Sequence, residues 1–296
     1  MNMNEIQIAR LLDQARSYVQ EEKYLHAIQI YRRLTLAEPE FVLSYRELAS
    51  LYAEMGRHEA AIKLLLRAET VLPGNSEVVF LLGMRYLQME QFDRALAYFK
   101  RLAGQKLPQV HFQMATAYFY KGSLPAAEEQ FRLTLHLDPL FPRINESLGE
   151  LLLQRSAFTD AVHYLRKGID ADPYSAVNHV LLGTAYGRLH DWKKACQEFI
   201  LSVDIDPQEH AHWQLCGEAL MHLKRYDDAE PYLRKSLELL PTSVDAMLAL
   251  CKVLTVRGDL EGAQKIRTAA FSLDPVTARA GEARWKLRHQ VQQQSR

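Results

Sequence analysis

"YSAVNHVLLGTAYGRLHDWKKACQEFILSVDIDP", residues 174–207, is a stretch whose spacing recurs along most of the chain. Inside it Gly183 is followed after three residues by Tyr186, Ala195 is followed after four by Phe199, and Pro207 closes the unit. Spacings of three and four belong to helix faces. The stretch therefore reads as two amphipathic helices, ended by a proline whose fixed φ and missing N–H stop the second one.

Working outward, Pro139, Pro173, Pro207, Pro241 and Pro275 stand 34 residues apart, as do Pro39 and Pro73. Twelve residues before these prolines lie Ala27, Ala61, Ala127, Ala161, Ala195, Ala229 and Ala263, and Ala95 fills the same place in a shorter unit. A second small column, twelve residues earlier again, holds Ala15, Ala49, Gly83, Ala115, Gly149, Gly183, Gly217 and Cys251. Three residues after it comes Tyr18, Tyr52, Tyr86, Tyr118, Leu152, Tyr186, Leu220 or Leu254. Four residues after the alanine column comes a bulky residue: Tyr31, Leu65, Phe99, Phe131, Leu165, Phe199 or Leu233. Small residues let paired helices approach, and the large neighbours fill the remaining space. Gly56, Gly122 and Gly258 mark turns between the paired helices. One such pair cannot bury its apolar face alone, so stacking is required.

This small–aromatic–alanine–aromatic–proline pattern, seen again in "SEVVFLLGMRYLQMEQFDRALAYF" (76–99), resembles the tetratricopeptide repeat family. The resemblance implies an all-α, right-handed superhelical solenoid with no strands. It places eight repeats near 8–41, 42–75, 76–107, 108–141, 142–175, 176–209, 210–243 and 244–277, with a C-terminal capping helix and tail over 278–296. It implies little about function, which sits in surfaces grafted onto a fold.

Three places depart from the pattern. "AGQKLP" (103–108) shortens the third repeat to 32 residues. Arg267 stands where the eighth repeat should have a bulky apolar residue, which predicts a thinner core there. After it, Ala280, Ala283, Leu287 and Val291 form a narrow apolar stripe suited to covering the last repeat, on a segment with five Arg/Lys against one Glu.

Charge and motifs remove several function classes. Lys plus Arg equals Asp plus Glu at 36 each, so 296 residues offer no bulk attraction to nucleic acid. "MNMNEIQIAR" lacks a basic start and apolar run, and no stretch nears the ~18 apolar residues of a membrane span. Three cysteines without a CxxC pair suit a reducing compartment, and the expected location is cytoplasmic. No phosphate loop, HExxH or GxSxG motif is present, so no catalytic residue, cofactor or metal is expected. His210 and His212, two apart on a helix, point away from each other and read as solvent-facing. Cys216 and Cys251 read as neighbouring reduced core thiols. The groove places that carry asparagines in chaperone-tail clamps of the resembled family hold none here.

"HFQMATAYFY" (111–120) raises the functional question. Met114, Ala115 and Tyr118 fall on the packing columns, whereas Phe112, Thr116, Phe119 and Tyr120 lie on another face of the same helix. The resemblance makes that face the wall of a concave groove, shared with Phe80, Met84, Leu87 and Gln88 of repeat three. Arg46 before it, and Glu146 and Glu150 after it, would supply a charged rim around an apolar floor. Neighbouring repeats could also bury these rings. The expectation is a non-enzymatic adaptor or chaperone-like scaffold that holds a partner's peptide or helix in this groove. The alternative is a self-assembling component that joins identical copies through its ends.

Overall fold

The computed structural model describes residues 4–283. The helices group into two compact bodies, one ending at Ile144 and one beginning at Asn145. The first contains α1 (Glu5–Gln20), α2 (Tyr24–Ala37), α3 (Val42–Glu54), α4 (His58–Val71), α5 (Ser76–Gln88), α6 (Phe92–Leu102), α7 (Pro108–Tyr120) and α8 (Leu124–Leu137). The second contains α9 (Ile144–Gln154), α10 (Phe158–Ala171), α11 (Ala176–Arg188), α12 (Trp192–Ile205), α13 (His210–His222), α14 (Tyr226–Leu239), α15 (Val244–Arg257) and α16 (Leu260–Leu273). A final helical stretch runs through 275–283, and no strand occurs among the described residues.

All eight first helices end in the same way. Glu22, Gly56, Glu90, Gly122, Ser156, His190, Lys224 and Gly258 take left-handed conformations with φ between 57° and 86°. The next residue's N–H then reaches back to the carbonyl of Tyr18, Tyr52, Tyr86, Tyr118, Leu152, Tyr186, Leu220 or Leu254, at 2.7–3.0 Å. This is the Schellman closure. The recurring Tyr or Leu therefore supplies the carbonyl that ends its own helix. Only three of the eight left-handed places hold glycine, the residue that adopts this conformation without a Cβ penalty.

The small columns work by contact distance. A Cβ added at Gly83 would lie 2.4 Å from the Phe99 ring, and at Gly183 it would lie 2.6 Å from Phe199. Gly149 faces Leu165 and Gly217 faces Leu233 equally closely, at 2.4 and 2.6 Å. Each bulky residue of a second helix thus occupies the space its first helix leaves vacant. Phe99, Leu165 and Leu233 are fully or almost fully buried as a result.

The departures have visible consequences. α6 has eleven residues where α2, α4 and α8 have fourteen. It passes through a 3-10 turn, Ala103–Gln105, and a left-handed Lys106 before Pro108 opens α7. In the eighth repeat α16 buries only Ala263 and Ala270, so its core is thin as expected. Arg267 there lies over the Phe271 ring and pairs with both oxygens of Glu282 in the final stretch.

That stretch starts earlier than a repeat's first helix would. α11, α13 and α15 begin three residues after Pro173, Pro207 and Pro241, whereas Pro275 is itself helical. Asp274 permits this by accepting from the N–H groups of Val276 and Thr277 and from the Thr277 hydroxyl. The altered start changes the buried face. Ala278 is buried and a Cβ on Gly281 would meet Leu248 at 2.4 Å, while Ala280 and Ala283 are exposed. Within 275–283, Ala278 and Gly281 lie against the preceding repeat rather than Ala280 and Ala283. Leu287 and Val291 lie outside the described residues.

Candidate partner-binding surface

In the first body α3 packs on α5 and α5 on α7, so its first helices form a layer. Phe80, Met84 and Leu87 on α5 are half-buried, and so are Phe112, Thr116 and Phe119 on α7. The rings differ in what they touch. Phe80 lies 5.7 Å from Phe99, and Phe112 lies 5.5 Å from Phe131 and 5.0 Å from Phe141. One side of each is therefore committed to the core of its own repeat. Among rings of the described residues Phe119 meets only Tyr120, edge-on at 5.5 Å. Thr116 spends its hydroxyl on the Phe112 carbonyl at 2.9 Å, which leaves its methyl as the group to offer.

Tyr120 is 67% exposed yet not idle. It stacks on Phe92, the first residue of α6, at 6.3 Å, beside the Lys121–Asp93 ion pair. Its ring spans the junction of α6 and α7. The same register recurs in the second body, where Trp192 at the start of α12 stacks on His222 at the end of α13, at 3.7 Å.

The proposed rim is less free than the sequence suggests. Arg46 on α3 pairs with Glu77 on α5 at 3.1 Å, and Arg16 on α1 pairs with Glu47 on α3 at 2.9 Å. These pairs brace successive first helices. Glu146 is only 8% exposed and Glu150 is exposed; both belong to α9 and both already interact with other residues. Glu146 is therefore not an open rim charge, because its position on α9 turns it inward.

Other sequence readings are also corrected. His212 is buried, with Nδ1 3.3 Å from the Asp206 carbonyl oxygen, and His210 is half-buried; neither faces solvent freely. Helix start sites place such imidazoles against the preceding turn. The Cys251 thiol donates to the Ala263 carbonyl at 3.4 Å. Burial pushes the thiol pKa of Cys196, Cys216 and Cys251 upward, which leaves them poor nucleophiles. The same cause pushes the Tyr31 hydroxyl up to about 12.

Sequence reasoning overlooked Arg85. It is 9% exposed, and burial lowers its pKa, with only Glu54 opposing that shift. Column reading holds the missing signal: the corresponding residues of six other repeats are Leu51, Ala117, Leu151, Ala185, Ala219 and Val253, and the first repeat has Ser17. A shallow open depression of 460 Å³ lies elsewhere, among Arg57, His58, Lys63 and Met89 at helix turns, and none of the apolar floor residues lines it. Among the described residues no group of three metal-binding side chains converges, and no helix is long and apolar enough to cross a membrane.

Two family models, both described as tetratricopeptide repeat, match residues 12–76 and 112–176, and residues 220–284. The anaphase-promoting complex subunit CDC16 of Saccharomyces cerevisiae is 23% identical over 80% of this chain and 25% of its own length. The BBSome complex member BBS4 of Bos taurus is 20% identical over 84% of this chain and 48% of its own. This chain thus spans from a quarter to about half of these relatives. Among solved structures, MamA from Desulfovibrio magneticus RS-1 aligns with TM-score 0.54 and 25% identity, over 57% of this chain and 96% of that one. The structure of the Cut9–Hcn1 hetero-tetramer aligns over 95% of this chain and 57% of that one, with TM-score 0.62 and 17% identity. The repeated hairpins, their shared closure and these matches make the chain a member of the tetratricopeptide repeat family, whose members are in general protein-interaction scaffolds.

Proposed function

We propose that this scaffold acts as a non-enzymatic adaptor or chaperone-like protein that holds a partner's helix or extended peptide on the first-helix layer of its first body. The observation that carries the reading is a run of half-buried apolar groups on one layer: Phe80, Met84 and Leu87 on α5, Phe112 and Phe119 on α7. The uncovered sides of Phe80 and Phe112 offer apolar area at low entropic cost, since their opposite sides are already held by core rings. Met84 adds an unbranched thioether that adapts to differently shaped partners. Thr116 and Tyr120 flank the floor, and Arg46, paired with Glu77, contributes orientation more than affinity. A cytoplasmic location belongs to the same proposal.

The test is photo-crosslinking in living cells from residues 84 and 119, with Leu36, which is 62% exposed on α2, as the control position. A partner adduct from both floor positions and not from Leu36 supports the reading. Identical adduct patterns from all three positions, or none from the floor, would end it. Adducts between copies of this chain would favour self-assembly instead.

A further inference from the structure

The second helices of the first body carry an exposed face of a different character from the apolar floor. α2 packs on α1 and α3, α4 on α3 and α5, and α6 on α5 and α7, so these helices form an outer row along the first-helix layer. α4 buries Ala61, Leu65 and Ala68 against that layer, which turns Lys63, Leu66, Arg67 and Thr70 outward. The same four places of the first three repeats are exposed throughout. They hold six cations, Arg32, Arg33, Lys63, Arg67, Lys100 and Arg101, and no anion. Arg33, Arg67 and Arg101 stand 34 residues apart, one place in three successive repeats. In each of the next four repeats a carboxylate enters these places: Glu129, Asp170, Asp204 and Glu238. The charge balance of the whole chain therefore hides a local surplus.

Two observations narrow the chemistry. Among the described residues, Arg101 alone of the six cations pairs with a carboxylate, Glu69 at 2.6 Å. The others have no counter-charge from the fold itself. Leu36 and Leu66, both exposed, occupy places on the same face among the cations. A nucleic-acid backbone rewards cations and stacking aromatics but not aliphatic chains, and these places hold no aromatic residue. An anionic bilayer uses both groups: guanidinium and ammonium meet the headgroups, while leucine reaches the boundary with the acyl chains.

We infer that the outer face of α2, α4 and α6 docks peripherally on an anionic lipid bilayer. The floor residues on α5 and α7 take no part in it, so this role stands or falls apart from partner binding. The bland alternative is a set of solvated cations whose only effect is solubility.

Vesicle flotation of the full chain separates the two, using phosphatidylcholine vesicles beside equimolar phosphatidylcholine–phosphatidylserine ones. The wild type is expected to float with the anionic vesicles only and to be released by salt. Arg33→Gln/Lys63→Gln/Arg67→Gln should weaken binding by about fivefold per charge, on the order of 100-fold together. Leu36→Ser/Leu66→Ser should weaken it several-fold at unchanged charge. Arg166→Gln/Lys167→Gln/Lys235→Gln, which removes as many charges from the corresponding places of the second body, should leave it unchanged. Urea midpoints check that each variant is folded. Arg33→Glu alone, at an exposed side chain without an ion pair, gives the reading if the triple variant is not. No flotation of the wild type, flotation unaffected by the first triple variant, or equal losses from both triple variants would overturn the inference. Tighter binding to duplex DNA than to vesicles, indifferent to the two leucines, would also overturn it and reassign the face to nucleic acid.

Discussion

The first-helix layers of the two bodies use the same backbone places for different chemistry. In repeats three and four, Phe80, Met84, Leu87, Phe112 and Phe119 put rings and a thioether there. In repeat seven the places of Phe80 and Met84 hold Gln214 and Glu218, hydrogen-bonded to each other at 2.9 Å, with Ser243 of α15 donating to Gln214, while the place of Leu87 keeps an apolar Met221. Beneath both layers the hairpin packing is the same: Gly83 receives Phe99, and Gly183 receives Phe199. The lesson is that packing columns and layer positions vary independently. The hairpin contact is kept in the first set, while the surface chemistry changes in the second.

Several substitutions would break or sharpen this comparison. The largest effect is expected from Phe99→Ala and Phe199→Ala, each losing about 3–5 kcal/mol by urea unfolding because a buried ring leaves a cavity. Similar losses in both bodies would support equivalent packing, while a loss in one alone would break it. Next come Gly83→Ala and Gly183→Ala, whose methyl groups collide with those rings and cost about 1–3 kcal/mol. Gly104→Ala, with nothing within 4 Å, serves as the neutral control.

The turn positions give a smaller effect with opposite signs. Glu90→Gly and Lys224→Gly should stabilise by up to about 1 kcal/mol by relieving left-handed backbone, and Gly56→Ala should destabilise by a similar amount. Uniform destabilisation by glycine would show that these side chains contribute more than their backbone costs. Smallest is Arg46→Ala, which removes an exposed brace to Glu77 worth under about 1 kcal/mol. That loss should fade at high salt, as expected of a screened pair. A large, salt-independent loss would mean that Arg46 supports packing rather than charge alone.

Much of the fold was legible because its signals are periodic. The Ala95–Phe99 and Gly83–Tyr86 spacings report helix faces directly, and the prolines report where each second helix must stop. The thin eighth repeat was readable from Arg267 alone. The site was less legible. Phe112 and Phe119 occupy one helical face, yet the first rests on two rings and the second on one. Helical spacing cannot reveal how many neighbours arrive from other helices. Glu146 looked like rim charge for the same reason, and Arg85 escaped notice because an arginine on a helix suggests solvent.

The sequence by itself determined the repeat length, the paired helices, their closing residues and the absence of a recognisable catalytic motif, since these depend on contacts within one hairpin. Tertiary structure decided which side chains remain uncovered, where Tyr120 stacks, why the final helix begins at Pro275 and that the Arg85 Nε has no acceptor. The physical reason is range. Helix formation and capping are settled within a few residues, whereas burial and charge pairing depend on which helices are packed alongside.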